Sequence, residues 1–250
     1  MLLNRLRAWL INDTMAALVF AGFWLDDVLA SWRRPGDDDH WVIGRKWGVR
    51  LLRATGVRLR VTGHVSLDTA RQYVFVANHA SYMDTPAVYA SVSVPFRFIA
   101  RHSLFRVPVI GGHLRRGGHV PIVREEGRNA LRALAKAAAV MTAKRVSVVV
   151  FAEGTRSRGD LQSFRNGAAW LALRVGAPLV PVAIRGTREI LPRGSAFIRS
   201  GAVEVAFGEP VEVDGMTLRD REQLTAVLHD KVDALLGEPG AETGVAHPGG

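Results

Sequence analysis

An α/β fold, with a mixed central sheet flanked by helices and a two-helix hairpin in front of it, is what this sequence predicts. Three observations carry the prediction. From residue 57 onward, short apolar runs of strand length alternate with longer stretches of helical pattern. Two of the runs, Tyr73 to Ala77 and Val146 to Val150, lead directly into polar turns that hold His, Asp, Glu and Arg. Residues before 57 differ in kind, being either uncharged and apolar or sharply amphipathic. The expected division is a hairpin over 1–56, an α/β domain over 57–236 and a disordered Gly/Pro-rich tail over 237–250.

In chain order, Thr14 to Leu25 is an apolar helix bounded by Asp13 and Asp26-Asp27 and continuing through Trp32. At about 1.5 Å per residue it covers roughly 18 Å, short of the ~30 Å hydrocarbon layer. No small-residue cleavage site precedes the acidic pair, which argues against a secretory leader. After the turn Pro35 to Asp39, the stretch Trp41 to Val57 mixes Trp41, Val42, Ile43, Trp47, Leu51 and Leu52 with Arg45, Lys46, Arg50 and Arg53. That mixture predicts a second helix lying in an anionic membrane interface, antiparallel to the first. The plain alternative is a helical pair packed on a soluble core.

Val57, Leu59 and Val61 alternate with Arg58, Arg60 and Thr62, the pattern of a half-exposed strand closed by Gly63. Tyr73 to Ala77, Phe96 to Ala100, His119 to Val123, Val146 to Phe151, Leu179 to Ile184 and Ala202 to Phe207 are the other predicted strands. Helices are expected over Thr85 to Val92, Glu125 to Lys144, Asn166 to Val175 and Thr217 to Leu236. The Glu125 helix has its acids first and its bases last, as the macrodipole favours. Pro108, Gly111 and Gly112 prevent a long helix before Gly118.

Composition narrows the chemistry. With no cysteine there is no disulfide framework, thiol nucleophile or thiolate metal site. A net charge of +10 calls for an anionic partner: nucleic acid, a membrane surface or a phosphorylated substrate. From Arg97 to Arg124 there are six arginines and no acid, and this block separates the two polar turns instead of forming a detached basic arm. No nucleic-acid-binding motif is present, so nucleic acid is not expected. His102, His113 and His119 match no standard metal spacing, so no metal is expected either.

The first turn, Asn78-His79-Ala80-Ser81-Tyr82-Met83-Asp84, puts a His and an Asp five positions apart across a strand-to-helix reversal. If the carboxylate takes the imidazole's Nδ1–H, Nε2 is left to accept a proton from an attacking hydroxyl. An Asn/Asp turn with a solvated His fits the same heptapeptide. The second turn, Phe151-Ala152-Glu153-Gly154-Thr155-Arg156-Ser157, also leaves a strand end.

Together, His79 with Asp84 resembles the HX4D signature of the glycerolipid acyltransferases, and Glu153-Gly154-Thr155-Arg156-Ser157 resembles their EGTRS signature. Phe98 to Arg101, Gly118 to Arg124 and Val180 to Ala183 are similar to the family's other blocks, in the same order, over roughly residues 60 to 190. Pro121-Ile122-Val123 departs from the Phe-Ile-Asp usual before the arginine. The resemblance implies acyl transfer from a thioester, acyl-CoA or acyl carrier protein, to the hydroxyl of a lysophospholipid, lysophosphatidic acid foremost, with no further cofactor. It implies His79 as general base, Asp84 as its orienting partner, and Glu153, Gly154, Thr155 and Arg156 at the phosphorylated headgroup. Arg101 and Arg124 would add phosphate contacts, and Pro181 would line the acyl path. The protein would then work on an anionic membrane, at its cytoplasmic face, as a peripheral or monotopic enzyme. Another lysolipid or glycolipid acceptor, and a noncatalytic lipid-binding protein, stay open; a serine hydrolase lacks its G-x-S-x-G elbow.

Overall fold

The computed structural model describes residues 2–32, 39–63, 67–122, 128–157 and 159–237. In chain order the elements are α1 (Leu2–Trp32), α2 (Asp39–Ala54), β1 (Val57–Thr62), β2 (Val74–Ala77), α3 (Asp84–Ser91), β3 (Phe96–Arg101), α4 (Ile110–Arg116) and β4 (Val120–Ile122). There follow α5 (Arg128–Lys144), β5 (Ser147–Phe151), α6 (Gly167–Val175), β6 (Leu179–Arg185), α7 (Thr187–Ile190), β7 (Gly201–Phe207) and α8 (Arg221–Gly237). The expected strands all form. Of the predicted Glu125 helix, residues 128–144 are helical and its three opening residues lie outside the described part, as do Arg124 and residues 238–250 of the expected tail.

The strands make one seven-stranded sheet among the described residues, in the order β1-β7-β6-β2-β5-β3-β4. All neighbouring pairs are parallel except β6 and β7, which makes the sheet mixed, as expected. β2 lies at its centre, and every one of its residues is buried. Such a strand needs apolar side chains on both faces, which is why it is a continuous apolar run. Phe75 and Ala77 join a core with Leu51, Leu52, Tyr89, Phe96, Val182 and Val205 on the side of the first three helices. Val74 and Val76 join Ala137, Met141, Ala169, Leu171 and Leu228 on the other, where the small alanines of α5 and α6 allow close approach.

Two expectations change. In the edge strand β1 the alternation reverses at its end: Val61 is exposed, while Thr62 is buried and donates to Glu204 Oε1 at 3.0 Å. The second concerns α2, much of whose apolar side is covered by the rest of the fold. It packs on α3, and an added Cβ at Gly44 would lie 2.4 Å from the Tyr89 ring, at Gly48 2.7 Å from the Pro86 carbonyl. Most of the hairpin's exposed apolar side chains are on α1, where Leu10, Ile11, Leu18, Trp24, Leu25 and Leu29 are exposed and Ala16, Phe23 and Asp27 face inward; on α2 Val42 is exposed. No described helix is long and apolar enough to cross a membrane.

Candidate active site

The parallel pairing of β2 with β5 matches Ala77 to Phe151, and that of β2 with β6 matches Ala77 to Val182. Both polar turns therefore leave adjacent strands at the same edge of the sheet, beyond the carboxyl ends where ligands gather in α/β folds. The backbone joins them: Ser157 donates its N–H to the His79 carbonyl at 2.8 Å, and its Oγ donates to the same oxygen at 3.2 Å.

His79 Nδ1 lies 2.7 Å from Asp84 Oδ2. The same oxygen accepts the N–H groups of Ala80 at 2.7 Å and Ser81 at 2.9 Å, because the turn wraps around the carboxylate at the start of α3. An oxygen already accepting two backbone N–H groups is an acceptor for the ring as well, so Nδ1 carries the proton and the tautomer is set. The imidazole plane is fixed as well, stacked on Phe151 at 4.2 Å and 18°. Asp84 is fully buried, whereas the His79 side chain keeps 14% of its surface open. That contrast leaves a dry carboxyl group behind a reachable ring.

Glu153, which the resemblance puts at the headgroup, has both carboxylate oxygens on backbone donors. It is buried, its Oε1 accepting the His79 N–H at 2.6 Å and its Oε2 the Gln162 N–H at 3.1 Å. Burial pushes its carboxyl pKa up, and the two backbone bonds work against that rise. Gly154 has φ +69°, a left-handed conformation that glycine adopts without strain, and a Cβ there would meet Arg165 Nε at 2.8 Å. Thr155 is exposed. Arg156 reaches back to the first turn, its guanidinium carbon 3.8 Å from the Tyr82 ring centroid. The second turn thus lays a cation on an aromatic side chain of the turn that carries the imidazole.

Arg101 is the exposed last residue of β3, two strands from β2 along the same edge. Arg124 follows β4 but falls outside the described residues. Pro181 is not brought to the site: it is buried within β6, where its side chain meets Gly208 on the α8 side of the sheet. Its carbonyl accepts the Gly208 N–H just past the final β6–β7 ladder pair, Val182 to Phe207, so the missing proline N–H costs no ladder bond. Arg188, unremarked in the sequence, donates to Ser157 Oγ at 3.0 Å and to the Gly159 carbonyl at 2.6 Å, bracing the second turn. A cavity of about 280 Å³ is lined by Asn78, Ala80, Ser157, Thr187 and Arg188, with neither His79 nor Arg156 in its wall.

Three other histidines, His40, His113 and His119, form a separate cluster where the hairpin meets the core. The Phe98 N–H donates to His119 Nδ1 at 2.8 Å, which makes His119 Nε2 the donor to Tyr89 Oη at 3.2 Å. Tyr89 in turn donates to His113 Nε2 at 3.1 Å, and His113 Nδ1 donates to Asp27 Oδ1 at 3.0 Å. Every histidine in that line is neutral. Burial, with His40 and Arg97 nearby, pushes His113 down to about 3, and burial holds His119 well below its ordinary value. Asp27, His40 and His113 bring an oxygen and two ring nitrogens within 4.8 Å of one another. A dication there would face the Arg116 guanidinium bonded to Asp27. It would also take the His113 Nδ1 position and leave the Tyr89 hydroxyl without its acceptor. The directed hydrogen bonds describe a lock between hairpin and core.

The acyltransferase family model matches residues 58–185. A 1-acyl-sn-glycerol-3-phosphate acyltransferase of Borreliella burgdorferi is 29% identical over 178 residues, covering 71% of each chain. A chloroplastic 1-acyl-sn-glycerol-3-phosphate acyltransferase of Brassica napus is 36% identical over 140 residues, 55% of this chain and 40% of that one. The chain therefore spans less than half the length of that plant relative. Among solved structures, the 1-acyl-sn-glycerophosphate (LPA) acyltransferase PlsC of Thermotoga maritima superposes with a TM-score of 0.74 at 26% identity, covering 96% of this chain and 99% of that one.

Proposed function

The chain belongs to the acyltransferase family, and on that premise we propose that it moves a fatty acyl group from a thioester to the free hydroxyl of lysophosphatidic acid, giving phosphatidic acid. The observation that carries this reading is the 2.7 Å bond from His79 to a fully buried Asp84, in a turn whose Tyr82 supports the guanidinium of Arg156. Such a pair suits one base and one anion holder acting on a single phosphorylated alcohol.

In the proposed step the acceptor hydroxyl oxygen attacks the thioester carbonyl carbon while His79 Nε2 takes its proton. Asp84 steadies the imidazolium that results. The tetrahedral adduct then collapses, the C–S bond breaks, and the proton passes from His79 to the departing sulfur. Atoms and charge balance without an electron acceptor, so the donor carrier, CoA or acyl carrier protein, is the only other molecule the step calls for. Arg156 serves the phosphate with paired hydrogen bonds, a geometry for which a guanidinium is better shaped than an ammonium. The exposed apolar face of α1 supports attachment to the membrane that holds the acceptor, and the net charge of +10 favours an anionic one, at the cytoplasmic face.

Incubation of the purified protein with labelled acyl-CoA and lysophosphatidic acid is the test. Phosphatidic acid should form, and His79→Ala should lower the rate by roughly 10²–10⁴. Free fatty acid alone would indicate a hydrolase, and binding without turnover a lipid-binding module. Near-wild-type transfer by His79→Ala would remove the mechanism.

A further inference from the structure

Neither polar turn accounts for the second oxygen of Asp84. Three donors converge on Oδ2, while Oδ1 accepts from Thr187 Oγ1 at 2.5 Å. Thr187 is the first residue of α7, just past β6, and is 1% exposed. We propose that Thr187 is a positioning residue for the His79–Asp84 pair, a third segment of the site that sets the rotation of the catalytic carboxylate. The proposal rests on the acyl-transfer reading given above.

The physical need comes from the freedom of an aspartate. Its terminal torsion is broad and two-fold, so a carboxylate held at one oxygen can still swing the other. Asp84 has no water to meet in compensation, being wholly buried. A hydroxyl donor on Oδ1 both satisfies that oxygen and pins the plane, which keeps Oδ2 aligned on the imidazole N–H.

The surrounding chain is built to deliver that hydroxyl. The Asn78 side chain clasps β6, donating through Nδ2 to the Ile184 carbonyl at 3.0 Å and accepting the Ile184 N–H at 2.7 Å. This ties the residue before His79 to the strand end that leads to Thr187. Gly186 then turns the backbone with φ +82°, and a Cβ there would sit 2.2 Å from the Ala202 carbonyl, so only glycine makes the turn. Arg188, the next residue, braces Ser157 in the second turn. Three strand ends therefore hold one catalytic pair.

Thr187→Val, which keeps shape and removes the donor, is compared with Thr187→Ser, which keeps the donor, and with His79→Ala as the inactive reference. In Thr187→Val the kcat should fall about tenfold to a hundredfold, the loss expected for one hydrogen bond to a charged group, with acceptor KM within about twofold of wild type. Thr187→Ser should recover most of the rate. The low-field proton resonance of His79 Nδ1–H, assigned by its absence in His79→Ala, should move in Thr187→Val and return in Thr187→Ser. Wild-type kcat and an unmoved resonance in Thr187→Val would overturn the proposal, as would equal losses in both variants or a change confined to KM. If the wild-type protein transfers no acyl group, the acyl-transfer reading fails, and the resonance still decides whether Thr187 holds the pair.

Discussion

Exchanging Glu153 for Gln alters a single terminal atom, yet it separates two roles for this residue. In the structure Glu153 gives one oxygen to the His79 N–H and the other to the Gln162 N–H. An amide has one carbonyl oxygen, so one of these backbone donors would face an NH₂ group instead. A charge-assisted hydrogen bond is worth about 1.5–3 kcal/mol, and a buried unpartnered donor costs about 1–3 kcal/mol. Against this, burial already penalises the Glu153 charge, as its raised pKa records, and a neutral amide escapes part of that penalty. A net loss of about 1–2 kcal/mol follows, equivalent to roughly 2–8 °C in Tm for a chain of this length. The His79 backbone would also lose its anchor, and small misplacements of a reacting group are costly, so kcat should fall roughly 10–100-fold while acceptor KM stays unchanged. Thermal unfolding and steady-state kinetics on Glu153→Gln measure both. A large rise in KM with an unaltered Tm would refute the reasoning and return Glu153 to the headgroup.

Two further outcomes can be checked on the whole protein. His113 is held down to about 3, far under the 6.5 of a free imidazole, and His119 is also lowered, both chiefly by burial. Between these values the unfolded chain binds more protons than the folded one, so stability rises with pH across that window and is lost as pH falls below about 6.5. The slope should approach about 1.4 kcal/mol per pH unit for each histidine, or about 2.7 for the two, and denaturant titrations at pH 7.0, 5.5 and 4.5 would measure it; a flat profile would contradict the neutral cluster. On α1, replacing Leu18 and Leu25 together by Asp removes two exposed apolar side chains without touching the inward face. Flotation with anionic liposomes should then drop at least about tenfold, given about 1.5–3 kcal/mol per buried leucine, and undiminished binding would discard α1 as the attachment surface.

What the sequence made legible follows from how local each signal is. β2 and β5 were readable because a strand buried on both faces has to be a continuous apolar run, and the His79 and Glu153 turns because they immediately follow those runs. Thr187 was not readable: what brings it to Asp84 is the placement of β6 beside β2, a neighbour relation that no spacing encodes. Pro181, six residues earlier, drew notice by its place in a recognisable block but faces the other side of the sheet. In α2 the pairing of apolar and basic residues looked interfacial, whereas Gly44 and Gly48 let the helix settle against Tyr89 and Pro86. The joining of His113 and His119 to Asp27 needed α1 and α4 to meet, again a contact across distant segments.

The parallel register of β2 and β5 has one more consequence. Because the two turns spring from neighbouring strands, their separation is set by ladder hydrogen bonds and is independent of the length of chain running from α3 to α5. That intervening stretch can be lengthened, shortened or reshaped, altering what surrounds the two turns, while the His79–Asp84 pair and the Glu153 turn stay in register.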